Sequence, residues 1–191
     1  MHKFSRKKSM KKTNKKFTLV ELLCAVGLVV ILAGIGFSAY SYASHRGKEA
    51  ATKSLIARIG AGLETLKTKH GSYPSCSSSY GDIAVRENNG IIDRITFGST
   101  AITDSRQLKD FLAAADGESL KKYVSNGYLT DAWGGKIKYR YPGSINTVKF
   151  DLVAPGADEG FGTGAATAPP AGLSDYKSGD EWACDDIANF K

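Results

Sequence analysis

The chain has 191 residues, 26 of them Lys or Arg and 19 Asp or Glu, and its formal net charge is +7 at pH 7. This length suggests one domain beyond any targeting segment. Eight basic residues precede Phe17, and the remainder has 18 basic and 19 acidic residues, a net charge of −1. Because the net positive charge lies in this leader, we expect no nucleic-acid partner. The alternative is that residues 1–16 form a basic arm that binds nucleic acid.

An apolar run follows the leader from Phe17 to Tyr42. Helical residues rise 1.5 Å each, so its 26 residues are enough to cross the roughly 30 Å of bilayer hydrocarbon. A secretory signal peptide is the alternative, but its apolar region usually has about 7–15 residues. The lysines before the run predict that residues 1–16 stay in the cytoplasm and that residues 43–191 lie on the other side of the membrane.

Glu21 is the single charged residue in this run. A charged side chain within a bilayer costs a few kcal/mol or more unless it has a partner, so such a residue is a functional hypothesis by default. The alternative is that Glu21 only extends to the membrane surface near Phe17.

The helical pattern continues beyond Tyr42, where the composition becomes amphipathic. Apolar residues recur every three to five positions, interleaved with charged ones. Gly71 and Pro74 then supply a stop signal. We predict one helix from Phe17 to about Lys69, whose core-facing stripe comprises Ala50, Leu55, Ile59, Leu63 and Leu66.

The rest of the chain predicts short helices and then an antiparallel sheet. Leu108–Ala115 and Leu120–Val124 are predicted to be helical, and residues 75–104 receive no assignment. Residues 136–141 and 148–153 alternate polar and apolar around a Pro-Gly turn, which predicts two neighbouring strands. Residues 159–174 are rich in Gly, Ala, Thr and Pro and predict a loop without its own core.

No catalytic or metal motif emerges from the cysteines and histidines. The three histidines lack ligand or triad spacing, so we predict that the protein is not an enzyme. Cys24 lies in the apolar run. Cys76 and Cys184 lie in the predicted exported part, where disulfides persist, and spacing alone leaves their pairing open.

Three stretches of the chain resemble the type IV pilin and type II secretion pseudopilin superfamily, and most closely its major pseudopilins. Phe17-Thr18-Leu19-Val20-Glu21-Leu22-Leu23 is similar to the prepilin processing and methylation motif, and Lys67–Pro74 is similar to the family's helix exit. The third stretch comprises Gly127-Tyr128-Leu129, Asp131-Ala132-Trp133-Gly134, Tyr139, Pro142-Gly143 and Gly156-Ala157-Asp158. Lys16 stands where the family usually has Gly, and Ala132 replaces the usual Pro.

The resemblance implies an α+β pilin-like fold in three parts. These are a basic prepilin leader (1–16), the transmembrane part of a long N-terminal helix (17–42) and a periplasmic globular domain (43–191), in which the helix packs on a small antiparallel sheet with a C-terminal loop. The implied location is the bacterial inner membrane, in contact with its lipid. The implied function is a structural subunit of a type II secretion pseudopilus, a periplasmic filament that drives export of folded proteins.

The resemblance also implies partners and residue roles. Cleavage after Lys16 by a prepilin peptidase would free the amine of Phe17, which is then methylated, and Glu21 would neutralise that amine on an adjacent copy. The other implied partners are minor pseudopilins and the inner-membrane assembly platform.

A calcium site is the last implication of the resemblance. Its carboxylates would come from Asp158, Asp185 and Asp186, with backbone carbonyls near Pro155 and Gly160. An insertion of 26 residues separates Asp158 from Asp185, so Asp180 or Glu181 could substitute. Calcium takes six to eight oxygen ligands, and such an ion would fasten a loop that is poor in apolar residues.

Two other functional classes remain open from the sequence. A type IV pilus or competence pilin would share the N-terminal motif, but it usually ends in a disulfide loop rather than in Asp185-Asp186. A monomeric membrane-anchored periplasmic binding protein would use residues 75–125 or the insertion and would not need Glu21.

Overall fold

The computed structural model describes residues 18–76, 79–164, 166–178, 181–182 and 184–190. Helix α1 spans Leu19–His70, in agreement with the helix predicted from the sequence. It ends at Gly71, whose φ of +86° lies in the left-handed region that favours glycine. The chain divides into two compact units, the first ending at Ser44 and the second spanning His45–Lys191.

In the first unit, the described apolar side chains of α1 are exposed, with 56–78% of each large one accessible. The part of α1 in the second unit carries the core-facing stripe. Leu55, Ile59, Leu63 and Leu66 are at most 2% exposed, as predicted. Ala50 is exposed, so its predicted place in the stripe is wrong.

The second unit is built on an eight-stranded antiparallel sheet, and the predicted α+β fold is confirmed. Its strand order is β10-β7-β6-β1-β2-β3, with β5 also pairing with β1 and with β4, while β8 and β9 form a separate hairpin. The strands are β1 Gly81–Asn88, β2 Ile91–Phe97, β3 Thr100–Ile102, β4 Val124–Ser125, β5 Tyr128–Leu129, β6 Lys138–Arg140, β7 Asp151–Ala154, β8 Lys177–Ser178, β9 Glu181–Trp182 and β10 Ile187–Ala188.

Two short helices, α2 (Ser105–Ala115) and α3 (Gly117–Lys121), follow β3. Helix α2 agrees with the predicted segment Leu108–Ala115, whereas α3 shares only Leu120 and Lys121 with the predicted segment Leu120–Val124, whose end is a turn followed by β4. Phe111 of α2 packs directly on α1 at Gly62. Glycine is needed there, because a Cβ at this position would lie only 2.6 Å from the Phe111 ring. The Phe111 ring also meets Phe97 of the sheet edge to face, with centroids 5.6 Å apart.

The unassigned region 75–104 contains the hairpin β1–β2 and the edge strand β3. Asn89 and Gly90 form the two-residue turn of this hairpin, and both have positive φ, as a type I′ turn requires. The Asn-Gly pair was therefore a readable hairpin signal. The two predicted C-terminal strands are confirmed as β6 and β7, which pair with Tyr139 opposite Leu152.

The predicted loop 159–174 does not lack a core. Phe161 within it, and Tyr176 just after it, are 4% and 0% exposed and pack with Val153 of β7. We call these three residues the second cluster. The prediction was wrong because it relied on the average composition of the loop and overlooked two buried aromatic side chains, Phe161 in the loop and Tyr176 just after it.

Candidate functional site

The start of α1 brings Thr18 and Glu21 together. The Thr18 backbone N–H donates to Glu21 Oε2 at 2.9 Å, and the Glu21 N–H donates to Thr18 Oγ1 at 3.2 Å. The Thr18 hydroxyl also donates to Glu21 Oε2, at 2.9 Å. This reciprocal pair is a capping box, which satisfies two backbone donors that the first turn of a helix leaves open.

The capping box gives Glu21 a local role that the sequence reasoning missed. The Thr-x-x-Glu spacing at the start of an apolar helix was the available signal. The box holds the carboxylate at the N-terminal end of α1, where the helix dipole also favours negative charge. The predicted processing residues Lys16 and Phe17 lie outside the described residues.

Within the described part of the chain, α1 is the one helix long and apolar enough to cross a membrane. This property rests on its length and composition, and it agrees with the transmembrane segment predicted from the sequence.

The second predicted site joins the segment after β7, which carries Asp158, to the segment before β10, which carries Asp185 and Asp186. We call this region the acidic junction. Asp185 Oδ2 accepts the backbone N–H groups of Ala157 and Asp158, the latter at 3.0 Å. Asp158 Oδ1 accepts the N–H of Gly160 at 2.8 Å. Asp158 and Asp185 are both exposed, and the hydrogen bond from the Asp158 N–H to Asp185 Oδ2 joins their two segments.

Asp186 has a different environment from Asp158 and Asp185. It is fully buried, and its Oδ2 accepts the N–H of Gly162 at 2.6 Å. Within the described residues, no three or more His, Cys, Asp and Glu side chains are grouped to hold a metal ion. All three carboxylates accept backbone N–H groups of the loop, but only Asp158 and Asp185 are also exposed to solvent, and carboxylate oxygens are the ligands that a hard cation prefers. Asp180 lies outside the described residues.

Asp131 is the central residue of this junction, and its role was not read from the sequence. Its Oδ1 accepts the N–H groups of Trp133, Gly134 and Gly135, each at 2.9 Å. Its Oδ2 accepts the N–H of Gly156 at 3.1 Å, which ties the Asp-Ala-Trp-Gly turn to the loop after β7. Burial raises the pKa of the Asp131 carboxyl, and the four N–H groups oppose that rise.

The same turn is anchored to α1 through Thr52. The Ala132 N–H donates to Thr52 Oγ1 at 3.1 Å, and Thr52 is fully buried. The ring of Trp133 lies 5.4 Å from that of His45, also on α1. The turn, the acidic junction and α1 are therefore held in one arrangement within the second unit.

The disulfide considered between Cys76 and Cys184 is not formed. The Cys76 thiol donates to the Ser79 carbonyl at 3.5 Å, and the Cys184 thiol donates to the Tyr176 carbonyl at 3.4 Å. Cys76 belongs to the main core and Cys184 packs against the second cluster, so different elements position the two residues.

Residues 102–169 match the family described as type II secretion system (T2SS), protein G. The pseudopilin resemblance is confirmed. The matched part runs from the end of β3 through the Asp131 turn and Asp158, whereas Glu21 and Asp185 lie outside it. This family consists of structural subunits rather than enzymes. The searches of curated proteins and of solved structures each found no match.

Proposed function

We propose that this chain is a structural subunit of a type II secretion pseudopilus, a periplasmic filament that drives the export of folded proteins. The match of residues 102–169 to T2SS protein G carries this proposal. The apolar part of α1 supports a subunit that starts as a single-pass protein of the bacterial inner membrane, with the second unit in the periplasm.

Assembly depends on Glu21 in this proposal. Processing after Lys16 would expose a positive amine at Phe17, and burying that amine or a carboxylate alone costs several kcal/mol. Pairing them between two copies offsets much of this cost. The capping box supports the proposal because it holds the Glu21 carboxylate against Thr18, the residue that follows the new terminus at Phe17.

Two substitutions separate docking from helix capping. Glu21→Gln keeps a side chain that can complete a capping box but removes the charge, whereas Glu21→Ala removes both. We expect both variants to insert into membranes normally and both to lose filaments, as seen by electron microscopy after overexpression. Glu49→Ala, a change farther along α1, serves as the control and should assemble.

The outcome for Glu21→Gln decides between the two roles. If this variant forms filaments as the wild type does while Glu21→Ala does not, Glu21 acts as a cap and the docking proposal fails. Mass analysis of the N-terminus supplies the second readout. We expect a chain that begins with a methylated Phe17, produced by a prepilin peptidase, and a retained leader would contradict this processing step.

The remaining partners in this proposal are further copies of the chain, minor pseudopilins and the inner-membrane assembly platform. We also propose a calcium ion at the acidic junction, bound by the exposed carboxylates of Asp158 and Asp185 together with backbone oxygens of the loop near Pro155 and Gly160. The exposure of both side chains supports the ion, as does the 3.0 Å hydrogen bond from the Asp158 N–H to Asp185 Oδ2, which holds the two segments together. Asp186 has a structural role in this version of the site.

A further inference from the structure

An apolar groove of about 690 Å³ lies between β2 and the helices α2 and α3. Its apolar lining includes Ile91 and Ile92 of β2 and Leu108 and Leu112 of α2. Ile91 is 66% exposed, so the apolar surface of the groove continues onto the face of β2. The groove therefore has the size and apolar character of a binding surface.

The charges around the groove are paired except for one lysine. Asp116 Oδ2 accepts from Arg58 at 3.0 Å, and Glu118 Oε1 accepts from Lys121 at 2.6 Å. Lys109 also lines the groove and forms no ion pair within the described part of the chain. The groove thus offers apolar walls and one uncompensated positive charge.

The insertion after β7 has the complementary chemistry. Its residues Ala166 and Ala168 are exposed and Pro170 is partly exposed. The carboxylates of Glu159 and Asp175, on either side, are exposed and form no ion pair with any described residue. In chain order, the small apolar residues of this segment therefore lie between two exposed carboxylates.

The strand order places these two surfaces at opposite edges of the sheet. The groove adjoins β2, next to the edge strand β3, whereas the insertion connects β7 to β10 at the other edge. A contact between different surfaces of two identical chains is heterologous, and when its rotation does not close a ring it generates a helical filament.

We propose that the insertion of one copy docks in the groove of the next copy, with Ala166, Ala168 and Pro170 against the apolar walls and Lys109 facing Glu159 and Asp175. This proposal rests on the proposed filament and names one lateral contact within it. It also gives a role to the insertion, whose second cluster holds it in a defined conformation.

A charge swap in the full-length protein tests this contact. We expect Lys109→Glu to reduce the number of filaments by about tenfold or more, since like charges would then face each other. The double change Glu159→Lys and Asp175→Lys should do the same, and the triple variant should restore assembly. Arg106→Glu is the matched control, because Arg106 lies on the same helix, outside the groove lining, and should leave filaments unchanged.

Photo-crosslinking from the groove is the second measurement. With p-benzoylphenylalanine in place of Leu112, irradiated membranes should yield dimers whose crosslinks map to residues 166–172 of a second copy. Normal filaments from Lys109→Glu, or a triple variant that stays defective, would overturn the contact. Crosslinks to another protein or to lipid would overturn it as well. If the wild type forms no filaments but the dimer crosslink is present, the proposed function fails and the contact stands.

Discussion

Aspartate side chains that accept backbone N–H groups hold the loops of the second unit. Asp131 accepts four such groups, and Asp151, also fully buried, accepts those of Ser144, Ile145 and Asn146 at 2.7–2.9 Å. The Tyr80 hydroxyl donates to Asp151 as well, at 3.0 Å. A buried carboxylate that lost these donors would bear an uncompensated desolvation cost, so each aspartate fixes the conformation of its loop.

A different aspartate, Asp110, ties α2 to the end of α1. Its Oδ1 accepts from Lys69 at 2.7 Å, and its Oδ2 lies 3.0 Å from His70 Nε2. Hydrogen bonds from Lys69 first, and from His70 next, lower the pKa of the Asp110 carboxyl. A lowered pKa in the folded state means that this interaction stabilises the protein above the ordinary pKa of about 3.9 and is lost as the pH falls through the lowered value.

We predict that Asp110→Asn lowers the melting temperature at pH 7 and that this difference from the wild type narrows as the pH falls through the lowered pKa of the Asp110 carboxyl. Tryptophan fluorescence in nonionic detergent is suited to the measurement, because Trp133 and Trp182 both belong to the second unit. Glu87→Gln, at an exposed position of β1, should behave like the wild type throughout this pH range. A difference that persists unchanged at pH 2.5 would show that the carboxylate charge is not the cause.

Among the elements, those with strong periodicity or turn chemistry were predictable from the sequence. The length and stripe of α1 follow from apolar spacing, and β6 and β7 follow from alternation around Pro142-Gly143. The Asp131 network was not predictable, because it joins backbone groups from positions 133–135 and 156, and sequence gives no distance between them. The calcium site that the motif similarity implies at Asp158 and Asp185 stays a prediction, although a hydrogen bond joins the two segments that carry these residues.

The second cluster explains how a Gly- and Ala-rich insertion keeps a defined fold. Tyr176 is fully buried, its hydroxyl donates to the Pro170 carbonyl at 3.3 Å, and its ring meets Phe190 with centroids 5.4 Å apart. Burial raises the pKa of the Tyr176 hydroxyl, as expected for a phenol removed from water. One aromatic side chain therefore joins the insertion, β7 and the C-terminal segment.

We predict that Tyr176→Ala lowers the free energy of unfolding by about 3–5 kcal/mol, because it removes a buried aromatic ring and leaves a cavity. Tyr176→Phe should cost only about 1 kcal/mol, the net value of a typical hydrogen bond. Denaturant titration followed by tryptophan fluorescence measures both. Val148→Ala, at a position 81% exposed, should stay within about 0.5 kcal/mol of the wild type. If Tyr176→Ala and Val148→Ala lowered the free energy of unfolding equally, the second cluster would not be what holds the insertion in place.

At the scale of the whole molecule, α1 supplies two surfaces with different partners. Its first part exposes large apolar side chains and a capped carboxylate, and it suits lipid and then neighbouring copies. Its second part buries Leu55, Ile59, Leu63 and Leu66 in the core. In the proposed filament, the first part of α1 would supply the surface for assembly, while the second part belongs to the core of the second unit.

Calcium is expected to act on this folded unit by binding it more tightly than the unfolded chain. A ligand present at 100 times its dissociation constant stabilises by about 2.7 kcal/mol. For a domain of this size, that corresponds to a rise of roughly 5–10 °C in melting temperature. We therefore predict a rise of this order when calcium replaces a chelator, measured on the full-length protein in detergent.

Three variants test whether the calcium-dependent rise in melting temperature comes from the acidic junction. Asp158→Asn and Asp185→Asn each remove one exposed carboxylate from the site, so we expect both to lose most of the calcium-dependent increment, whatever their baseline melting temperature. Asp93→Asn removes a surface carboxylate that pairs with Arg86 at 2.8 Å, far along the sheet order from β7 and β10, and should keep the full increment. Identical melting curves of the wild type in calcium and in chelator would mean that the N–H groups accepted by Asp185, together with the second cluster, hold the loop without an ion.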